Sequence, residues 1–367
     1  MHKDNWHFYS LAPRIKTEAG HDYVYHRCIQ ESIEKYGLSC TVLIDKEANI
    51  ERLSMRFFPY FTSSFQSRVF SNIFQNFLKE RNICNQTKIL FIDTFSLKEL
   101  LDLTFAIKKS KKETTYLWIF LRYDLKKFKL NGRLHIACLK VILNHLKSQC
   151  VFLTDSRSIQ QEAELLFKRA VHLLPIPHAF TITSTETHET KKIVHCWWPG
   201  PPRPSKGLNA IRKILEITEL ENLEVILAAS KDAMLSASNI QVVSLPAILS
   251  REEYFQQMMA SNVILLPYDP VAYRCSTSGI FVEAIVAGKM PVVLAGSWLA
   301  DELLQYGLEE LIVDWETRWF WQRINELRQS TAIARKLGSM QKAYQKFHSL
   351  ENFSNCVATL LSRVFSD

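Results

Sequence analysis

The 367-residue sequence contains no stretch approaching the roughly 18 apolar residues that a membrane-spanning helix needs, so no spanning segment is expected. Its opening, MHKDNWHFYS, lacks the apolar core and cleavage site of an export signal, and the expectation is a cytoplasmic protein. Cys-X-X-Cys pairs are missing as well. The eight cysteines are scattered without a His-rich cluster beside them, which argues for reduced thiols and against structural zinc. No Asp-X-Asp occurs, so a metal held by such a pair is not expected, and there is neither a repeat of fixed period nor a low-complexity tract.

What is present points to two compact cores, since the length exceeds the soft prior of about 150 residues per domain. Charge is divided unevenly. Residues 1 to 180 carry 27 Lys and Arg against 17 Asp and Glu, hence +10, while the remainder carries 18 against 20, hence −2. A basic first half is suited to an anionic surface or acceptor, although a solvated basic face has the same composition.

Short apolar runs alternate with segments of helical period in both halves, the pattern of βαβ units around parallel sheets. Strands are expected at Trp6 to Leu11, Cys40 to Ile44, Ile89 to Asp93, Tyr116 to Arg122 and Cys150 to Thr154. A second set is expected at Ile193 to Trp197, Leu223 to Ala228, Ile240 to Ser244, Val263 to Pro267, Pro291 to Leu294 and Leu311 to Val313. Residues 22 to 36 place Tyr25, Cys28, Ile29, Ile33 and Tyr36 on one helical face, and Gly37 follows as a stop. The polar, Thr-rich stretch 179 to 190 reads as the linker. Residues 56 to 79 are dense in Phe with Arg and Lys interleaved, and Phe65, Val69, Ile73 and Phe77 recur every four residues. Such a helix docks on its own sheet or lies on a membrane surface.

The chemistry is concentrated in the second half. ILLPYDPVAYRCSTSGIFVEAIVAGKMPVVLAG, residues 264 to 296, runs strand, loop, helix, strand. Ser276, Thr277, Ser278 and Gly279 are small residues that open the helix near Ile280, where unpaired N–H groups attract phosphate; an N-cap with nothing bound has the same sequence. Glu283, one turn into this helix, lies either on a solvent stripe or within reach of ligand hydroxyls such as those of ribose. The second cluster is WWPGPPRPSKGL, residues 197 to 208, in which Arg203 and Lys206 stand in a Pro-rich turn and can neutralise a diphosphate.

HCWWPGPPRPSKGL followed by SGIFVEAIVAGKMPVV resembles the retaining group-1 glycosyltransferases of GT-B fold, and the resemblance spans most of the chain. It implies an α/β chain of two Rossmann-like domains facing each other across a cleft: an acceptor-binding domain at 1 to 180 and a donor-binding domain at 185 to 344. A last helix, about 345 to 367 and centred on Glu351 to Phe365, would return to the first domain. Arg203 and Lys206 would act on the donor pyrophosphate and Glu283 on the nucleotide ribose. Ala247 and Ile248, in VVSLPAILSREEYFQQMMASNVILLPY, would lie near the base, with Ser250 opening a helix. TEAGHDYVY resembles the glycine turn over which donor and acceptor meet, bringing in Gly20 and His21, and LLPIPH resembles the close of the acceptor domain.

Two departures stand out. The first of the family's two signature glutamates is Cys275 here, which bears on the sugar contacts. The usual histidine after an acceptor-domain strand is replaced by LWIFLRYDLKKF, with Arg122 and Asp124 at that place and His21 as the substitute. The reading implies transfer from a nucleotide sugar to a hydroxyl of a glycan, lipid-linked or protein acceptor, in the building of cell-surface glycans. It implies no cofactor beyond the nucleotide-sugar substrate and no metal, peripheral contact with an anionic membrane, and no nucleic-acid partner. A non-catalytic homologue serving as a scaffold is the alternative, with Cys275 and the absent histidine in its favour.

Overall fold

The computed structural model describes the chain except residues 1–4, 18–20, 51–56, 62–85, 94, 110–114, 123, 125–128, 178–192, 218, 221–222 and 367. It divides into two compact units, residues 1–177 with 350–367, and residues 178–349.

The first unit carries β1 (Trp6–Ala12), α1 (His21–Lys35), β2 (Ser39–Asp45), β3 (Phe57–Phe61), β4 (Thr87–Ile92), α2 (Leu97–Lys109), β5 (Thr115–Phe120), α3 (Lys129–Leu146), β6 (Cys150–Thr154), α4 (Arg157–Phe167) and β7 (Val171–Leu173). The strands form one parallel sheet in the order β3-β2-β1-β4-β5-β6-β7. Its central strands are buried on both faces, which is why they read as continuous apolar runs rather than alternating ones. Tyr25, Cys28, Ile29 and Ile33 on α1 face this core, and Gly37 at φ +88° follows the helix. The final helix α5 of this unit (Leu350–Ser366) adds Phe353, Val357, Leu360 and Leu361 to the same cluster. Trp6 meets Phe365 edge-on at 4.6 Å, and the Ser32 and Ser354 hydroxyls are 2.9 Å apart within the apolar contact. Each such buried aliphatic or aromatic side chain contributes roughly 1.5–3 kcal/mol.

Strands β3 and β7 have no counterpart in the sequence reading. β3 opens the Phe-rich segment, whose stripe of Phe65, Val69, Ile73 and Phe77 lies outside the described residues, as do the stretch 179 to 190 and Gly20.

The second unit carries β8 (Ile193–Trp198), α6 (Leu208–Leu215), β9 (Glu224–Ser230), β10 (Gln241–Leu245), α7 (Arg251–Ala260), β11 (Val263–Leu266), α8 (Gly279–Val286), β12 (Met290–Val293), α9 (Trp298–Leu304), α10 (Phe320–Gln329) and α11 (Thr331–Phe347). Its parallel sheet has the order β10-β9-β8-β11-β12. The strand expected at Leu311 to Val313 is instead a 3-10 turn, Glu309–Leu311, followed by a single bridge between Ile312 and Val293. The apolar run is too short to extend the pairing: Asp314 accepts the Glu316 N–H at 2.9 Å and turns the chain away. In each sheet the chain leaves its first strand to one side and returns on the other, between β1 and β4 and between β8 and β11. The carboxyl ends at such a reversal are where open α/β sheets bind ligands.

Candidate functional site

In the second unit, the loop after β8 carries the basic pair. Arg203 is exposed and opens a 3-10 turn, Pro204–Lys206, that ends on Gly207 at φ +85°. A Cβ on Gly207 would lie 2.0 Å from the Pro267 carbonyl oxygen, so only glycine lets this turn press onto the loop that follows β11. Two further bonds fix the contact. The Trp198 indole donates to the Lys206 carbonyl at 3.0 Å, and the Asp269 N–H donates to the Ser205 carbonyl at 3.1 Å.

The Lys206 ammonium is thereby brought against aromatic rings. Its Nζ donates to the Tyr268 hydroxyl at 2.6 Å and sits 3.8 Å from the Tyr268 ring centroid and 5.2 Å from that of Tyr273. No carboxylate pairs with it among the described residues. Burial, with the field of Arg203 added, lowers its pKa to about 7. Tyr268 is fully buried, and the Ser278 side chain lies close enough to favour its ionised form, so one phenol links the basic loop to the loop that opens α8.

Ser278 is the N-cap of that helix, accepting from the Phe281 N–H at 3.3 Å. Every residue from Ile280 to Val286 is buried, Glu283 included at 8% exposure. The solvent-stripe alternative for Glu283 is therefore excluded, and its carboxylate takes the Tyr254 hydroxyl proton donor at 2.5 Å. Tyr254 comes from α7, which Ser250 opens with a capping box to Glu253, and its ring meets Trp197 edge-on at 5.0 Å. Burial and the Glu283 charge both hold the Tyr254 phenol protonated, as a donor to that carboxylate.

Cys275 is buried, Ser276, Thr277 and Gly279 are half-buried, and all lie in the same loop and helix start. Ala247 and Ile248 lie on the exposed loop between β10 and α7, Ile248 at 74% exposure, and no described hydrogen bond or ion pair ties them to Lys206 or Glu283. The helix α1 begins at His21, and neither its side chain nor Gly20 is among what is described. Tyr254, Tyr268 and Tyr273 are absent from the residues singled out by sequence. Their signal was the flanking context, a tyrosine directly after an apolar strand in LLPYDP and another five residues on.

The first unit holds a second polar cluster at the carboxyl ends of its strands. Arg122, after β5, donates to Asp155 after β6 at 2.9 Å and to Asp93 after β4 at 3.2 Å. Its guanidinium lies over the Tyr25 and Phe120 rings at 4.9 and 4.6 Å. Burial opposes its charge, but Asp155 and Asp93 outweigh that and raise its pKa above the ordinary value. His26 Nε2 is 3.4 Å from Asp93, and its Nδ1 is 2.6 Å from the Ser10 hydroxyl. A small pocket lined by Ala12, Pro13, Arg14, Ile15, Asp22, His26 and Asp93 adjoins them. Thus, among the described residues, the histidine that joins this ionic network is His26, five residues beyond His21. Among the described residues, no group of His, Cys, Asp and Glu is arranged to hold a metal ion, and no helix is long and apolar enough to cross a membrane.

No protein-family profile and no curated protein sequence matches the chain. Solved structures do, at low identity. A glycosyltransferase from Rickettsia africae is 9% identical at a TM-score of 0.65, over 99% of this chain and 98% of that one. An α-glucosyltransferase in complex with UDP and a 13-mer DNA is 12% identical at 0.58, over 98% and 99%. The N-terminal domain of a Candida albicans trehalose-6-phosphate phosphatase is 12% identical at 0.61, over 99% and 97%. The chain therefore has the GT-B fold of glycosyltransferases, matched over nearly its whole length. Fold does not by itself fix activity, as the third of these names illustrates.

The expectation that nucleic acid is excluded is corrected by these similarities. The α-glucosyltransferase of the same fold is held on DNA in several of its structures. The physical reason is plain in retrospect: a +10 charge over residues 1 to 180 has the sign a phosphate backbone attracts, so a basic first half cannot count against that partner.

Proposed function

We propose that this chain is a glycosyltransferase that moves a sugar from a nucleoside-diphosphate sugar, bound in the second unit, to a hydroxyl acceptor. The observation that carries the reading is the Lys206 ammonium: half-buried beside tyrosines, with no carboxylate on it among the described residues, and linked through Tyr268 to the loop that opens the Glu283 helix. An ammonium so placed is complementary to a diphosphate, and the exposed Arg203 fork stands three residues before it. The amides near Ser278 and Gly279 at the start of α8 add donors to the same anion. Glu283, already an acceptor of one hydroxyl, is suited to the ribose.

As the glycosidic bond breaks, negative charge grows on the departing diphosphate, and Arg203, Lys206 and these amides offset it electrostatically. The chain needs no nucleophile of its own if the acceptor oxygen attacks on the face that the leaving group vacates, which gives retention. Cys275 in place of a glutamate leaves the sugar with one carboxylate contact fewer than the resemblance implies.

For the acceptor, the +10 charge and the DNA complexes of the α-glucosyltransferase support a hydroxyl carried on a polyanion, with nucleic acid the first to test. Stabilisation against heat by a panel of uridine, adenosine, guanosine and thymidine diphosphate sugars tests the donor half, because only a ligand of the folded state raises the transition. Loss of that stabilisation in Arg203→Ala supports the placement. No shift with any donor would remove the reading and favour a scaffold.

A further inference from the structure

We propose that Tyr268 and Tyr273 are positioning residues that hold Lys206 poised to take up a proton from solvent as the donor diphosphate binds. The inference rests on the diphosphate reading of this loop and adds to it a proton balance: free site, donor and one proton give the charged complex.

The geometry carries it. Among the described residues Lys206 Nζ is hydrogen-bonded only to the Tyr268 hydroxyl and is seated over that ring at 3.8 Å, with the adjoining Tyr273 ring at 5.2 Å and the two ring centroids 4.5 Å apart. Among the described residues the groups facing it are few: Arg203 on its own turn, and Tyr268 and Tyr273 on the loop after β11, with Ser278 and the Glu283 charge acting in turn on Tyr268. The rings and the hydroxyl favour the ammonium, whereas burial and Arg203 oppose it, and the opposition brings the pKa down to about 7. A diphosphate supplies the counter-charge that this pocket withholds, so the bound site stays protonated at pH values where the free site does not. Burial among aromatic rings thus turns an ordinary phosphate lysine into one whose charge depends on its ligand.

The sign follows from linkage. Below about pH 7 the lysine is already charged and binding moves no proton. Above it the free lysine is increasingly neutral, so binding takes up a rising fraction of a proton and apparent affinity falls as pH rises, approaching about tenfold per pH unit once the free site is mostly neutral.

UDP-glucose is the first probe, with the other nucleotide sugars beside it, since each of its phosphates carries one ester and one anhydride bond and so has no second proton to titrate in this range. Calorimetry at about pH 8 in two buffers of different ionisation enthalpy reads proton uptake directly. Wild type is expected to take up a fraction of a proton and Lys206→Arg none, as a guanidinium stays charged at both pH values. Tyr273→Ala should admit water, move the affinity midpoint to higher pH and cut the uptake. Tyr268→Phe, which keeps the ring but removes the acceptor, should lose more affinity at pH 8 than at pH 6. Equal losses at both pH values in the two tyrosine variants, with uptake unchanged, would mean that the tyrosines are merely structural and would overturn the proposal. Donor binding by wild type without proton uptake would overturn it too while leaving the proposed function standing; no binding by any nucleotide sugar would overturn both.

Discussion

Replacing Gly207 by alanine should damage the protein in a way that Gly200→Ala does not. Both glycines lie in the same loop and both have positive φ, +85° and +90°. Alanine in the left-handed region costs about 1–2 kcal/mol at either position. The surroundings then separate them. At Gly200 the nearest heavy atom to a new Cβ is the flexible Ile280 Cδ1 at 3.6 Å, an ordinary contact, whereas at Gly207 the Pro267 carbonyl oxygen would be 2.0 Å away, with Pro267 Cγ and Cβ at 2.5 and 2.7 Å. Relief requires the turn to retreat by about 1 Å or more, and such a retreat carries Lys206 away from Tyr268. We therefore expect Gly200→Ala to lose about 1–2 kcal/mol with donor affinity nearly intact. Gly207→Ala should lose about 2–4 kcal/mol in all, the excess over Gly200→Ala being overpacking strain, and weaken the donor by about 10- to 150-fold, the loss of a charged hydrogen bond worth about 1.5–3 kcal/mol. Urea denaturation measures the first quantity and calorimetry the second. Equal destabilisation in the two variants would refute the reasoning, because the collision with Pro267 is the only term that distinguishes them.

Other expectations follow from the same contacts. Glu283→Gln should weaken a ribonucleotide donor by about 1.5–3 kcal/mol, the range for a hydrogen bond to a charged group, and should have little effect on a dideoxy analogue; calorimetry with both ligands checks it. In the first unit, Asp155→Ala leaves the half-buried Arg122 with Asp93 as its remaining partner and should cost about 1.5–3 kcal/mol of stability, the range for a hydrogen bond to a charged group, by denaturant titration. If the acceptor is nucleic acid, duplex DNA should bind with an affinity that falls steeply between about 50 and 200 mM salt. Salt-independent or absent binding in an electrophoretic shift assay, alongside flotation with anionic vesicles, would move the acceptor from nucleic acid to a membrane.

Much of the frame could be read from the sequence because a doubly covered parallel sheet writes its strands as short apolar runs. Cys150–Thr154 is the same in both readings, and ten of the eleven expected strands appear within a residue or two of their expected ends. Val171–Leu173 escaped because three residues give no period, and Leu311 to Val313 misled because three apolar residues beside charged ones satisfy a propensity but not a ladder. Phe57–Phe61 was concealed in a run of phenylalanines whose four-residue recurrence further along argued for helix. The site was legible where it depends on backbone: the turn ending at Gly207 and the cap at Ser278 each declare themselves by residue type.

What the sequence could not disclose is which side chains meet across the carboxyl ends of neighbouring strands. Glu283 alone on an apolar helix is ambiguous, and its burial became certain only once Tyr254, 29 residues away in the chain, supplied the donor that makes a buried carboxylate tolerable. Lys206 posed the opposite problem. A lysine in a Pro-rich loop reads as solvent-exposed, yet Gly207 lets the loop lie on Pro267 and delivers the ammonium to a phenol 62 residues away. The same principle accounts for the first unit, where Asp93 and Arg122 close two expected strands and Asp155 follows a third, with nothing in their spacing to connect them. Because the strands are parallel and adjacent, β4 beside β5 beside β6, their carboxyl ends lie side by side, and two buried carboxylates and a half-buried guanidinium become one network with His26 at its edge. In a sheet of this kind the residue just past each strand is therefore the position to examine for ionic side chains, and strand order, rather than spacing along the chain, determines which of them become partners.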